Sequence, residues 1–366
     1  MIAPEHIRAI APYQPGKPIA ELAREMGLAE AAIVKLASNE NPLGISPKAR
    51  AAIAGALDEL ALYPDGNGFE LKSAIARKYG VGLDRIVLGN GSNDVLELAA
   101  RAFLTAQGSA VYSQHAFAVY PLVTQSIGAT GIEAKAKDFG HDLSAMLAAI
   151  RPDTRIVFIA NPNNPTGTLL DSDALHGFLK KVSPEVLVVL DEAYVEFLPE
   201  ERRTPSVDWL KEFPNLLLSR TFSKAYGLAG LRVGFALASP EVVDLMNRVR
   251  QPFNVNSLAL KAAAAALDDH AFLAESKRVN DEGMLQLTGG FKRLGLDYIP
   301  SSGNFVAVKV GDAGRVFQGL LKQGVIVRPV ANYAMPEYLR ISIGLPEQNA
   351  RCLTALAEVI GQGDTR

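Results

Sequence analysis

The sequence predicts an α/β protein in which a central, mostly parallel sheet is covered by helices, with a smaller α+β domain beside it. Three observations carry this prediction. Runs such as Val186-Leu187-Val188-Val189-Leu190 are apolar on both faces, as a strand buried between two helical layers requires. Between residues 85 and 218 such runs alternate with stretches of helical period. After about residue 255 the order changes to long helices followed by short strands.

Each element follows from local pattern. Residues 1–18 carry Pro4, Pro12, Pro15 and Pro18 and read as an extended arm, because that proline density opposes a helix. Residues 19–28 read as a short helix and 31–37 as a strand. The turn-rich link Asn39-Glu40-Asn41-Pro42-Leu43-Gly44 leads to a helix over 47–60, with Ala49, Ile53, Ala56, Leu57 and Leu60 as its apolar positions. Strands are expected at 85–88, 110–112, 156–160 and 186–190, and helices at 92–103, 117–127 and 171–181. Leu216-Leu217-Leu218 reads as one more buried strand. Beyond it come helices at 258–267 and 275–294, strands at 304–308, 325–328 and 338–343, and a closing helix at 351–360. A chain of 366 residues exceeds the usual single core and favours two domains. The expected division is an arm, 1–38, that joins the small domain; a large domain, 39–255; and a small C-terminal domain, 256–366.

Composition excludes several classes of function. The chain is 48% hydrophobic and 21% charged, ordinary for a soluble globular protein. A formal net charge of −2 and the lack of a long basic run argue against a nucleic-acid surface. Cys352 is the only cysteine, so no intrachain disulfide can form, and it reads as a packed thiol among Leu353, Leu356 and Ile360. The five histidines show no metal-ligand spacing, and no metal is implied. The N-terminus lacks the apolar core of a signal peptide, and no stretch approaches the roughly 20 apolar residues that span a bilayer. No membrane partner is expected, and the cytoplasm is the expected location.

The chemistry concentrates at the ends of the expected strands. Lys224 lies in Thr221-Phe222-Ser223-Lys224-Ala225-Tyr226-Gly227, directly after a buried strand, with Arg232 shortly beyond. An amine held there beside hydroxyls and a guanidinium supplies what pyridoxal phosphate (PLP) needs: a partner for its aldehyde and a cradle for its phosphate. Gly89-Asn90-Gly91-Ser92-Asn93-Asp94 joins a strand to a helix, so Ser92 or Asn93 can cap the helix while the glycines expose N–H groups to a phosphate. Its spacing is neither a dinucleotide fingerprint nor a P-loop. Asn161-Pro162-Asn163-Asn164-Pro165-Thr166-Gly167 is a stiff loop that presents Asn164 at a strand end. Asp191, in Asp191-Glu192-Ala193-Tyr194, ends a central strand, where a carboxylate demands a cation or donor. A protonated pyridine nitrogen is such a partner, and Tyr194 could reach the ring hydroxyl. A rigid turn, a helix cap or a core tyrosine explains each of these segments when it is taken alone.

Taken in order, these segments resemble the fold-type I aspartate-aminotransferase superfamily of PLP-dependent transferases, and within it the histidinol-phosphate aminotransferases. The likeness runs from Ala37-Ser38-Asn39-Glu40-Asn41-Pro42-Leu43-Gly44 to Leu339-Arg340-Ile341-Ser342-Ile343-Gly344. It implies that Lys224 holds the cofactor covalently and that Gly91, Ser92, Asn93, Ser223, Arg232 and Thr221 bind its phosphate. It implies that Asp191 keeps the ring nitrogen protonated, that Asn164 and Tyr194 contact the phenolic oxygen, and that Phe117 stacks on the ring where the family often has tyrosine. Tyr63 matches a tyrosine that reaches the neighbouring subunit's phosphate, which implies a homodimer. Arg328 and Arg340 match positions that bind the substrate's anionic group, and Tyr13 and Asn304 are placed in the substrate pocket. The implied reaction transfers an amino group from histidinol phosphate to 2-oxoglutarate in histidine biosynthesis. An aromatic amino-acid aminotransferase, a threonine-phosphate decarboxylase-like lyase and a non-catalytic regulator on the same scaffold stand as alternatives.

Overall fold

The computed structural model describes residues 2–361. Its strands are β1 (Val34–Lys35), β2 (Ile86–Gly89), β3 (Ser109–Ser113), β4 (Thr130–Ala134), β5 (Thr154–Ala160), β6 (Leu187–Asp191), β7 (Leu216–Thr221), β8 (Gly234–Leu237), β9 (Tyr298–Ile299), β10 (Phe305–Lys309), β11 (Val325–Ile326), β12 (Arg328–Pro329) and β13 (Tyr338–Ser342). Seven of them form one sheet in the order β2-β8-β7-β6-β5-β3-β4. All neighbours pair in parallel except β8, which runs antiparallel to both β7 and β2. The carboxyl ends of β2, β5, β6 and β7 therefore share one edge, with β6 at the centre.

Side-chain alternation builds a core on each face of this sheet. Val157 and Ile159 of β5, Val188 and Leu190 of β6, and Leu216 and Leu218 of β7 pack into one cluster. Ile156 and Phe158, Leu187 and Val189, and Leu217 pack into the other. Each such buried side chain contributes about 1.5–3 kcal/mol relative to exposure. The doubly apolar runs are thus the sheet's central strands.

The second sheet is antiparallel, in the order β12-β13-β10-β9, and packs against helices His270–Arg293, Ala313–Lys322 and Pro346–Gly361. A separate short pair joins β1 to β11 in parallel. The expected strand at 325–328 is therefore divided, its first half joined to the N-terminal segment and its second to β13.

Other differences have local causes. The arm contains one helical turn, Glu5–Arg8, because Pro4 stands at its N-cap, where a missing N–H does no harm. The helix expected over 47–60 ends at Gly55 and gives way to a 3-10 turn, Leu57–Glu59. Helices Phe69–Tyr79 and Pro240–Val249 and strands β4 and β8 go beyond the elements the sequence predicts. Among the described residues no helix is long and apolar enough to cross a membrane.

Candidate active site

A cavity of about 320 Å³ opens at the shared edge of the large sheet. Lys224 enters it from the turn after β7, which Thr221 fixes by accepting the Ser223 N–H at 3.1 Å. The chain then doubles back at Gly227, where φ is +70° and a Cβ would lie 2.1 Å from the Gly44 carbonyl oxygen. Only glycine allows that approach. Lys224 Nζ donates to the Ser38 carbonyl at 3.1 Å. Withdrawal from water, with the positive charge of Arg340 adding to it, pushes its pKa down to about 8. A neutral amine therefore becomes the main form above about pH 8, far below the range of an ordinary lysine.

Asp191, the last residue of β6, is buried on the cavity wall. Tyr120 Oη donates to its Oδ2 at 2.9 Å, whereas Oδ1 is buried without a partner among the described residues. Burial raises its pKa to about 6, and the Tyr120 hydrogen bond opposes the rise. The next residue, Glu192, turns to the other face. Its Oε2 accepts from Arg220 Nε and Nη2 at 3.0 and 2.7 Å, and its Oε1 from Ser206 and Thr204 at 2.7 and 3.2 Å.

An anion cradle lies on the other side of Lys224. Helix Ser92–Phe103 begins beside the cavity with Gly91 at its N-cap and no side-chain cap, so its first N–H groups are free. This corrects the expectation that Ser92 or Asn93 caps the helix: both lie within its first turn and line the cavity. Arg232 closes the cradle from an unusual left-handed conformation, φ +56°, and Nη1 donates to Ser223 Oγ at 3.3 Å. Gly91 suits this place because its φ of +84° is one that other residues rarely adopt, and a Cβ there would push Arg232 Nη2 aside.

Asn164 and Arg340 meet at the far wall, where Arg340 Nη1 donates to Asn164 Oδ1. Because arginine has no acceptor, the Asn164 amide group left for the cavity is the donor, Nδ2. Arg340 is also held by the Ala37 carbonyl at 2.7 Å, and its buried Nε lacks a partner among the described residues. Arg328 is its register partner across β12 and β13. Like charges directly opposite on paired strands repel, so the pair prepares the cavity for an anion. Arg328 donates to the Gln14 carbonyl at 2.7 Å and lies 5.4 Å from the Tyr13 ring centroid, which brings the N-terminal arm to the cavity.

Of the residues expected at the site, Tyr13, Ser92, Asn93, Phe117, Asn164, Asp191, Tyr194, Thr221, Ser223, Lys224, Arg232, Arg328 and Arg340 all line this one cavity. Gly91 lies just behind Arg232. Asn304 is not on the wall: it is buried behind it and donates to the Asn39 carbonyl at 2.9 Å. Tyr63 is remote within the chain, 83% exposed and stacked on Phe253 at 4.8 Å. Tyr120, Tyr333, Ser38 and Asn39 belong to the wall and were not expected there. Tyr120 is masked in the sequence by the apolar period of its helix, and Asn39 by its place in a turn.

The family model for aminotransferase class I and II matches residues 31–356. The chain belongs to that family. It is 65% identical over 358 residues to the histidinol-phosphate aminotransferase of Methylobacillus flagellatus, covering 98% of this chain and 97% of that one. Among solved structures, the histidinol-phosphate aminotransferase of Sinorhizobium meliloti in complex with pyridoxal-5'-phosphate superposes with a TM-score of 0.88. That match is 28% identical and covers 98% of this chain and 97% of the other. An aspartate aminotransferase variant of Thermus thermophilus, 22% identical, shares the fold at a TM-score of 0.86, covering 98% of this chain and 100% of the other. The resemblance drawn from the motifs is borne out, and with it the fold-type I architecture and the aminotransferase class.

Proposed function

We propose that the protein is a PLP-dependent transaminase that moves the amino group of histidinol phosphate to 2-oxoglutarate, giving imidazole-acetol phosphate and glutamate in histidine biosynthesis. The observation that carries the reading is the pair Arg328 and Arg340, register partners that face the cavity holding Lys224 and Asp191. Two guanidiniums exceed what one carboxylate requires and suit a phosphate near charge −2. The similarity to relatives that bear this name supports it.

The residues present fit the cofactor. The unpartnered Asp191 Oδ1 suits a protonated ring nitrogen, and the cradle of Ser92, Asn93, Thr221, Ser223 and Arg232 suits a phosphate. When bound, PLP supplies an electron sink for the carbanion formed at the substrate's α-carbon. Lys224 Nζ, neutral above about pH 8, would be the base that takes the substrate's α-proton and, once protonated, the acid that gives a proton back. Asp191, through its unpartnered Oδ1, would hold the proton at the ring nitrogen. Asn164 Nδ2 and Tyr194 Oη would hold the phenolic oxygen, and Phe117, on the same cavity wall, would pack against the ring. Arg340 and Arg328 orient the substrate's anionic end, with Tyr13 over it and Asn304 supporting the wall from behind.

The same reading makes the protein a cytoplasmic homodimer, with Tyr63 reaching the phosphate of the neighbouring subunit. Its exposed stack with Phe253, next to exposed Leu62, fits a face that a second copy covers. It also divides the chain into a large domain over 39–255 and a small one built from 256–366 and the arm over 1–38.

Kinetics on histidinol phosphate, phenylalanine, tyrosine and threonine phosphate test the substrate. Histidinol phosphate should be used best. Charge-assisted hydrogen bonds contribute roughly 1.5–3 kcal/mol, so Arg328→Ala should weaken its use about 10- to 150-fold and barely alter use of phenylalanine. Better use of phenylalanine by the parent enzyme would make it an aromatic aminotransferase, and release of carbon dioxide from threonine phosphate would make it a lyase.

A further inference from the structure

Asn39 is wholly buried, adopts the left-handed conformation at φ +55°, and engages its N–H, its carbonyl and both side-chain polar atoms. Its backbone N–H donates to Ser342 Oγ at 2.8 Å, and Ser342 Oγ donates back to Asn39 Oδ1 at 3.0 Å. Asn39 Nδ2 then donates to Tyr194 Oη at 3.0 Å, while Asn304 Nδ2 holds the Asn39 carbonyl at 2.9 Å. Ser342 ends β13 and is the register partner of Phe305, whose ring stands edge-on to Tyr194 at 5.2 Å. One asparagine thus ties a hydroxyl at the edge of the large sheet to the end of a strand in the small one.

The direction of these bonds matters more than their number. A serine hydroxyl that already accepts the Asn39 N–H has one proton to give, and it gives it to Oδ1. Reversing the amide would leave the Ser342 proton without an acceptor among the described residues, so the nitrogen faces Tyr194. Tyr194 Oη must accept there, and no residue among those described takes its proton. Reversing the amide would turn Tyr194 into a donor to Asn39 and leave only lone pairs toward the cavity.

We propose that Asn39, held by Ser342 and Asn304, is a positioning residue that compels Tyr194 to present its proton to the cavity. Resting on the reading of Tyr194 given above, this makes Tyr194 and Asn164 two donors to one anionic oxygen. Asn39 acts only through Tyr194. Its left-handed backbone is the local strain that permits the contact, and Asn304 contributes by holding that backbone rather than by touching substrate.

The test measures PLP affinity and the absorption maximum of bound PLP in apoprotein titrations. Asn39→Asp places an acceptor opposite Tyr194 and reverses its proton. Ser342→Ala removes the proton that orients the amide without adding charge or touching the cavity wall. Asn39→Asp should weaken PLP about tenfold and Ser342→Ala about threefold, the scale of one misdirected hydrogen bond. Both should move the absorption maximum in the same direction as Tyr194→Phe does. In a Tyr194→Phe background Ser342→Ala should have no further effect, and the Asn39→Asp loss should fall to about threefold or less. Equal losses with and without the hydroxyl would overturn the proposal, as would a Ser342→Ala protein with parental affinity and spectrum. If the parent does not bind PLP, the functional reading itself fails, an outcome distinct from either.

Discussion

Asp191 and Glu192 are consecutive carboxylates at the same strand end, on opposite faces, and they are treated oppositely. Glu192 meets Arg220, Ser206 and Thr204, so each of its oxygens has a donor. Asp191 meets Tyr120 through one oxygen, and the other is buried with no partner among the described residues. The first arrangement fastens β6 to β7 and the segment after it. The second withholds a donor that the fold could have supplied. A buried charge left half-satisfied lowers stability, so its persistence beside a satisfied neighbour marks where a ligand is to complete the bonding. Perturbed groups gather at sites for that reason, and Lys224 shows the same signature with the opposite charge.

This contrast can be broken in four ways, from the largest effect to the smallest. Lys224→Ala lies on the incomplete face. Turnover should fall by several orders of magnitude while the apoprotein folds as before, and PLP should still bind through its phosphate. Borohydride reduction of the parent followed by peptide mapping should place the pyridoxyl group on Lys224, and finding it elsewhere would remove the basis of the assignment. Glu192→Ala lies on the complete face and should instead cost about 3–5 kcal/mol of stability, because Arg220 is left buried and unpaired. A urea midpoint close to the parent's would show that this face is not the structural one.

Asp191→Asn keeps an acceptor for Tyr120 and removes the charge. In the folded chain the Asp191 pKa is raised from 3.8 to about 6, so the ionised form is disfavoured relative to the unfolded chain. That penalty is absent below about pH 4, grows as pH rises to 6, and is complete above it. The amide should therefore stabilise the apoprotein by up to about 3 kcal/mol at pH 7.5, with the gain vanishing near pH 4. Thermal melts across that range check the sign, and the same variant should transaminate poorly. Asn164→Ala should have the smallest effect, about 1 kcal/mol in PLP affinity, since one neutral hydrogen bond is lost. A loss as large as that of Lys224→Ala would mean that Arg340, released from Asn164, has moved.

The central sheet is legible in the sequence because burial on two faces leaves runs such as 186–190 with no polar alternation. Strand β4 is not, since it is an edge strand, largely exposed and interrupted by Gly131. Nor is β8, whose antiparallel direction is set by long-range pairing that no local pattern records. At the site, Lys224, Asp191 and Asn164 stand out in combination, because polar residues recur at or just beyond the ends of successive apolar strands, although each alone has a structural explanation. Tyr120 is invisible for the converse reason: it occupies a core position of a helix and differs from its neighbours by one oxygen. Asn304 has the right neighbourhood and the wrong depth, one layer behind the wall. Depth is a product of packing, and spacing along the chain does not encode it.

The parallel pairing of β1 with β11 bears on the order in which this molecule can be made. Synthesis from the N-terminus completes all seven strands of the large sheet, together with Lys224 and its cradle, before Val325 exists to receive Val34. Asn39 waits longer still, for Ser342, 303 residues away. Closing so long a loop adds little free energy, because each doubling of length adds only about 0.6 kcal/mol, but it sets a late event in time. A ribosome-bound chain arrested after β8 would carry Ser92, Asn93, Ser223, Lys224 and Arg232 but not yet Arg328 or Arg340. Anion binding should therefore appear during translation before discrimination does.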